Sequence, residues 1–138
     1  MAEEKKKRRK KSIVTRGKRK EAIARAYITE GNGRLVVNGL TVDALQPLSR
    51  EIISEPLQFV KEKTFDVSVS VHGGGISGQA QAARTAVARA MVAYLKDDKL
   101  KEEMVAYDRS LLVEDPRRVE PKKFKGPKAR ARFTKSYR

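Results

Sequence analysis

A run of glycines between two regular patterns is the part of this sequence best suited to binding a charged ligand. Gly73, Gly74 and Gly75 separate an alternating apolar and polar segment from a segment with helical spacing. Glycine has no Cβ, so an anion can approach its backbone closely, and a helix N-terminus adds unpaired N–H groups and partial positive charge. This arrangement favours a phosphate group. Arg84 and Arg89 add cationic side chains along the predicted helix.

Three interpretations of the glycine loop differ in the ligand they predict. Gly73, Gly75 and Gly78 fit the G-x-G-x-x-G spacing of dinucleotide-binding proteins. However, the preceding strand alternates instead of being continuously apolar, and the acidic residues 97–98 follow the helix directly instead of ending a second strand. We therefore expect no cofactor. Two interpretations stay open: a purely structural loop, and a site for a nucleic-acid phosphate. The phosphate interpretation predicts that a side chain at Gly74 weakens RNA binding without disturbing the fold.

Residues for catalysis or metal binding are scarce. His72 is the only histidine and the chain contains no cysteine, and a structural or RNA-contacting role suits this histidine better than a catalytic one. The acidic pairs 97–98 and 102–103 fit a helix cap and a solvated helix face. We therefore expect no enzymatic activity, no metal site and no disulfide.

The positive charge of the chain is concentrated at its two ends. The formal net charge is +15, and residues 1–20 hold eleven Lys or Arg against two acids, while residues 117–138 hold ten against one. Such arms repel themselves and become ordered on a polyanion, for which nucleic acid is favoured over an anionic membrane surface. No apolar run is long enough to span a bilayer, and no secretory signal follows the basic start, so we expect an intracellular protein.

The periodicity predicts an α+β domain, in which a small sheet covered by helices on one side positions the glycine loop. Pro56 stops or kinks the first helix at Glu55. Asp115-Pro116 ends the folded part, and the tail aromatics beyond it either stack on bases or anchor the tail to protein. The predicted elements are a polar arm over 1–20, a β-hairpin of strands 22–29 and 34–37, a helix over 48–60, a strand over 65–72, a long helix from about Ser77, and a second helix capped by Asp97 or Asp98.

Three motifs, in order along the chain, resemble the small-ribosomal-subunit protein S-nine family. They are TRGKRKEAIARA over 15–26, GGGISGQAQAARTAVARA over 73–90 and LVEDPRRVEPKK over 112–123. The resemblance covers 15–138. It implies a two-layer α+β fold like the second domain of ribosomal protein S-five, and a structural role in the head of the small subunit. The implied partners are small-subunit rRNA, peptidyl-site tRNA and neighbouring head proteins, with no membrane.

The resemblance also divides the chain and its candidate contacts. It implies a basic N-terminal arm over 1–14, a globular RNA-binding domain over 15–115 and an extended basic tail over 116–138. The tail is expected to reach the tRNA through Lys135, Tyr137 and Arg138. The residues expected to bind rRNA are Arg16, Lys18, Arg19, Lys20, Gly73, Gly74, Gly75, Gln79, Arg84, Arg117, Arg118, Lys122, Lys123, Lys128, Arg130 and Arg132.

The end of the sequence departs from the bacterial pattern of the family. Thr134-Lys-Ser-Tyr-Arg stands where bacterial members close in Ser-Lys-Arg. Arg138 matches the final arginine, whereas the match of Lys135 to the penultimate lysine stays open. With the basic run 5–11 this looks archaeal or eukaryotic, and the short length favours archaeal. Two hypotheses of other classes also stay open: a free, sequence-tolerant nucleic-acid binder, and a nucleotide-dependent enzyme.

Overall fold

The structure is a computed structural model that describes residues 12–136. Predictions about the basic run 5–11, Tyr137 and Arg138 therefore lie outside the described residues. Within them the chain forms one five-stranded sheet and three α-helices. The strands are β1 (Ile13–Arg19), β2 (Ala22–Glu30), β3 (Leu35–Val37), β4 (Leu40–Thr41) and β5 (Phe65–His72), the helices are α1 (Pro47–Ser54), α2 (Ile76–Leu95) and α3 (Asp98–Tyr107), and 3₁₀ turns occupy Val42–Ala44, Glu55–Phe59 and Arg109–Leu111.

The sheet is mixed, with the strand order β1-β2-β5-β3-β4. β1 with β2, β2 with β5, and β3 with β4 pair antiparallel, whereas β3 pairs parallel with β5. α2 packs against β1, β2 and β5, and α1 packs against α2. The predicted α+β class is confirmed.

The predicted β-hairpin of strands 22–29 and 34–37 is wrong. β5 lies between these two strands. β2 pairs with one edge of β5, and β3 pairs with the other edge, opposite residues 67–69. The chain does turn at 31–33, as predicted. However, the backbone N–H groups of this turn bond to the segment that leads into β5: Gly31 N donates to Thr64 O, and Gly33 N donates to Phe65 O. A local turn signal reports a reversal of the chain and not which strand becomes the neighbour.

The predicted polar arm over 1–20 is also wrong from Ile13 onward, because β1 occupies that part of it. In the middle of β1, the residues that face α2 are the small Thr15 and Gly17. A Cβ at Gly17 would collide with the carbonyl oxygen of Ala82, and Thr15 Oγ1 donates to Ala86 O at 2.8 Å. The strand thus packs on α2 through close backbone approach, which leaves no apolar alternation in the sequence.

The core between α2 and the sheet is built from small side chains. Ala22, Ala24 and Ala26 of β2 are fully buried, as are Ala83 and Val87 of α2, so helix and sheet lie close together. The long helix was predicted from about Ser77 and begins one residue earlier. Its start, directly behind the glycines, carries the candidate site.

The other helices follow their sequence signals. α1 ends at Ser54, and a 3₁₀ turn that contains Pro56 continues the segment to Phe59, as expected from a proline that removes a backbone donor. Asp97 caps α3 by accepting a hydrogen bond from Lys99 N at 3.0 Å. Leu100 and Met104 of this helix are buried.

Candidate nucleic-acid interface

The first two glycines of the loop are required by the fold. Gly73 and Gly74 have φ of +77° and +65°, in the left-handed region that favours glycine. A Cβ at Gly73 would lie 2.5 Å from Glu21 O, and one at Gly74 3.0 Å from Ala22 N. The structural interpretation therefore applies to this pair. The expectation that a side chain at Gly74 leaves the fold undisturbed is wrong.

The third glycine is different. Gly75 has an ordinary extended backbone, and no atom lies within 4 Å of where its Cβ would stand. It is the N-cap of α2, and no side chain caps this helix end. Gln79 donates its side-chain N–H to Gly73 O at 3.1 Å, which links the helix to its own loop. The loop thus has two halves. The fold requires glycine at 73 and 74, whereas Gly75, the open half, is accessible to an anion.

A cleft brings the open half of the loop together with predicted cationic residues. It has a volume of about 460 Å³ and lies between the end of β1, the start of α2 and the start of the tail. Arg118 and Lys20 are exposed at its rim. Helix dipole and side-chain charge act in the same direction here, so the cleft suits a phosphate group. Its lining consists of Arg19, Lys20, Glu21, Gly74, Gly75, Ile76, Ser77, Gly78, Gln81, Arg118 and Val119.

Arg84 is held within the protein. Its side chain is only 13% exposed; Nε lies 2.6 Å from Glu55 Oε2 and a terminal nitrogen 2.8 Å from Asp108 Oδ2. The Ser110 hydroxyl, and then Arg84, hold the pKa of Asp108 below its ordinary value against the opposing effect of burial. Arg84 thus connects the segments on either side of α2.

Arg89 has a similar role one and a half turns further along α2. It donates to Leu112 O at 2.8 Å and to Arg16 O at 2.7 Å, and it pairs with Glu114 at 2.9 Å. Since these contacts join β1, α2 and the chain after α3, the guanidinium serves tertiary structure.

A third ion pair fixes the start of the tail. Arg19 lies 2.9 Å from Asp115 and also donates to Gln81 Oε1 at 2.8 Å. Arg117 donates to the same carboxylate from two nitrogens: Nε lies 2.8 Å and a terminal nitrogen 2.6 Å from Asp115 Oδ2. The hydrogen bonds from Arg117 lower the pKa of Asp115 from 3.8 to about 2, so this carboxylate stays ionised in acid where an ordinary aspartate is protonated. The tail therefore leaves the domain at a defined point beside the cleft.

The tail beyond Arg118 is only partly extended. A turn and bends occupy 124–130, and a Cβ at Gly126 would collide with Ala131 O. Glu120 accepts from Arg130 Nε at 2.9 Å and pairs with Lys123 at 3.3 Å. The prediction of an extended tail is thus wrong over this loop, where Glu120 contacts two of the basic residues of the tail.

The other predicted tail residues point outward. Lys122, Lys128, Arg132 and Lys135 are exposed. Phe124 and Phe133 are 89% and 68% exposed, so neither anchors the tail to this domain. Both classes of side chain are available to a ligand.

Sequence reasoning missed the acidic residues that fix the arginines. Glu55, Asp108, Glu114 and Asp115 neutralise cations on α2 and β1. Only Asp115 has a local signal, an arginine two residues away. The other pairs join residues more than twenty positions apart, and composition alone does not reveal them.

Two further features bear on function. Among residues 12–136, none of the helices has both the length and the apolar character required to cross a membrane. The same residues contain no group of three or more His, Cys, Asp or Glu side chains placed to hold a metal ion.

Fold and interface together define an α+β domain with a cationic cleft and a cationic tail. A family model described as ribosomal protein S9/S16 matches residues 17–138, and the chain belongs to this family. This match confirms the resemblance to the family. Because this family of ribosomal proteins is structural and not enzymatic, the match also confirms the prediction that the protein is not an enzyme.

Curated relatives agree along nearly the whole chain. A protein of Picrophilus torridus is 49% identical over 130 residues, which cover 91% of this chain and 97% of the relative. A protein of Methanothrix thermoacetophila is 47% identical, covering 93% and 99%. One of Dictyostelium discoideum is 44% identical, covering 91% and 93%. Each of the three is named small ribosomal subunit protein uS9.

Proposed function

We propose that this protein is a structural constituent of the small ribosomal subunit, located in its head, that binds small-subunit rRNA through phosphate contacts. The observation that carries the proposal is the convergence of the uncapped N-terminus of α2, Gly75 and exposed cations on one cleft, in a chain whose relatives are small-subunit proteins. Neighbouring head proteins are further partners, and the location is the cytoplasm, within the ribosome.

The finer architecture belongs to the same proposal. The order of elements and the single helical layer are consistent with a fold like the second domain of ribosomal protein S-five. We divide the chain into an arm over 1–14, a domain over 15–115 and a tail over 116–138. The start of β1 at Ile13 moves the first boundary back by two residues.

The proposed rRNA contacts fall into two groups. Gly75, Lys20 and Arg118 line or border the cleft, and the exposed tail cations follow the RNA backbone away from it. Arg84 belongs to neither group, because its guanidinium is enclosed by Glu55 and Asp108. Phosphate neutralisation by lysine and arginine releases counterions, so affinity should fall steeply with salt.

Gradient sedimentation with RNA crosslinking tests this proposal. The protein is expected to travel with the small subunit, to resist a moderate salt wash and to crosslink to small-subunit rRNA. A free, sequence-tolerant binder would instead be spread among nucleic acids and be removed by the wash. That result would reject the proposed role in the ribosome, but it would still be compatible with RNA binding.

The tail is proposed to reach the peptidyl-site tRNA with its last residues, Lys135, Tyr137 and Arg138. Twenty-two residues after Pro116 span at most roughly 70 Å when extended, and the loop at 124–130 shortens that reach. Removal of residues 136–138 should weaken tRNA binding on purified subunits by about 1–3 kcal/mol, the scale of a charged hydrogen bond. Unchanged affinity and unchanged frame maintenance would make the tail an rRNA anchor only.

A further inference from the structure

The face of the sheet opposite the helices is open and cationic. Along β2 and β5 every second residue is buried towards α2, and the residues between them are exposed or half-buried. On β1, the exposed Val14 and Arg16 and the half-buried Lys18 lie on this open face. Neither the glycine loop nor the tail is part of it.

Strand register arranges the open face in three rows. Each row takes one residue from β1, one from β2 and one from β5. The first contains an aromatic ring, the second two arginines, and the third a lysine and the histidine. In the first two rows the residue from β5 is a serine, whose short side chain leaves space above β5. The rows are Val14–Tyr27–Ser68, Arg16–Arg25–Ser70 and Lys18–Ile23–His72.

The middle row places like charges side by side. Arg16 and Arg25 are directly opposite each other on paired strands, an arrangement that destabilises a sheet. Glu114 lies 3.6 Å from Arg16 at the sheet edge, but among residues 12–136 no ion pair is formed by Arg25. Asp66, at the far end of the face, already accepts hydrogen bonds from the backbone of Asn32 and Arg34. A bound anion would relieve this repulsion.

We propose that this face binds a strand of RNA, with phosphates at Arg16 and Arg25 and a base stacked on the ring of Tyr27. Tyr27 is 39% exposed and sits one row from the arginine pair, and an aromatic ring beside cations on an open sheet suits a nucleotide. An acidic protein would satisfy the arginines without using the ring. The proposal rests on the proposed function and adds a second RNA surface to it, on the opposite side of the sheet from α2.

The first test compares Arg25→Gln with Arg50→Gln in the full chain. Arg50 lies on α1 and pairs with Asp43, so both variants lose one positive charge but only the first changes the open face. With a single-stranded RNA oligonucleotide as probe, Arg25→Gln should reduce the slope of log affinity against log salt by about 0.7. Its melting temperature should not fall, since a repulsive pair is removed. A slope change no larger than that of Arg50→Gln would overturn the proposal.

The second test addresses the ring. Tyr27→Leu should weaken binding of the oligonucleotide about fivefold or more, and Tyr27→Phe should bind like the unsubstituted chain, because stacking needs an aromatic face. Equal affinity of the leucine and phenylalanine variants would reject the stacking role. An RNA duplex of matched length should show no difference between them.

Ultraviolet crosslinking to purified small-subunit rRNA separates the two proposals. Trypsin releases residues 26–34, which contain Tyr27, as one peptide, and this peptide should carry a crosslinked nucleotide. Crosslinks in the tail without any in 26–34 would leave the proposed function intact and overturn the sheet-face site. Absence of crosslinks throughout the chain would overturn both.

Discussion

The arginines around α2 and the basic residues of the tail carry the same charge but differ in what they can bind. Arg19, Arg84 and Arg89 each contact a carboxylate of this chain and are at most one-third exposed. In the described part of the tail, Lys122, Lys128 and Arg132 are exposed and form no ion pair. Formal charge therefore does not measure the charge available to RNA. The paired group holds the domain together, and the unpaired group is free to neutralise phosphate.

Removal of one paired arginine should have the largest effect. Arg84→Ala leaves Glu55 and Asp108 without their shared cation in a mostly enclosed site, so the free energy of unfolding should fall by roughly 2–4 kcal/mol. Denaturant unfolding of the free protein measures this. Lys122→Ala, an exposed control, should lie within about 0.5 kcal/mol of the unsubstituted chain. If the Arg84→Ala variant were as stable as the unsubstituted protein but bound RNA more weakly, Arg84 would be an RNA contact and not a residue that stabilises the domain.

The glycine loop allows the same contrast within a few residues. Gly73→Ala forces a side chain into a left-handed backbone and against Glu21 O, which should lower the free energy of unfolding by about 1–3 kcal/mol. Gly75→Ala has open space and should change it far less. Thermal unfolding of the two variants is the measurement, and equal losses would mean that the whole loop is structural.

Gly75→Asp should separate stability from binding more sharply. The carboxylate caps α2 and suits the helix dipole, which should raise the free energy of unfolding by about 0.5 kcal/mol. The same negative charge faces the cleft and should weaken rRNA binding. Gly75→Ser caps without charge and controls for the side chain alone. Unchanged RNA affinity in Gly75→Asp would exclude a phosphate from this helix end.

The tail cations should contribute to binding and hardly at all to stability. Lys128→Gln and Arg132→Gln together should reduce the slope of log affinity against log salt by about 1.4 on single-stranded RNA. The free energy of unfolding should stay within about 0.5 kcal/mol. A titration over a series of salt concentrations, compared with Lys101→Gln on α3, checks the assignment. A slope equal to that of the control would mean that the tail does not follow the RNA backbone.

The smallest effect is confined to acid pH. The pKa of Asp115 is lowered to about 2, chiefly by Arg117, so its contribution to stability is present above the ordinary carboxylate pKa of 3.8 and is lost as pH falls towards 2. Asp115→Asn should therefore flatten the loss of stability between about pH 4 and pH 2. Thermal unfolding across this range measures it, and parallel curves for the two proteins would show that the pair with Arg117 is absent in solution.

The sequence predicted well those features that depend on neighbouring residues. The strand over 65–72, the helix behind the glycines and the Asp97 cap all follow from local periodicity or from a known side-chain bond. The residue pattern missed β1, since Gly17 and Thr15 pack through backbone approach and a hydrogen bond instead of apolar side chains. Only the family resemblance placed residues 15–19 in the globular domain. The open sheet face could not be predicted, because it requires the register between three strands.

The role of the candidate site residues stays a prediction, and only their position can be compared with the structure. Gly74, Gly75, Lys20 and Arg118 line one cleft, and Gly73 is not part of its lining. The sequence did not distinguish Gly75 from Gly73 and Gly74, because backbone φ is not visible in it. Nor did it show that Arg84 is already paired, since its carboxylates come from residues far away along the chain.

The insertion of β5 between β2 and β3 has a consequence for synthesis of the chain. As the polypeptide emerges, β1 with β2 and β3 with β4 are available as two separate ribbons, and a two-stranded ribbon is at best marginally stable by itself. Both keep an unpaired edge until Phe65–His72 has been made and enters the gap. α2, which covers the resulting sheet, follows within four residues. Cotranslational folding should therefore be abrupt, with protection from proteolysis appearing only once residues up to 95 have left the ribosomal tunnel.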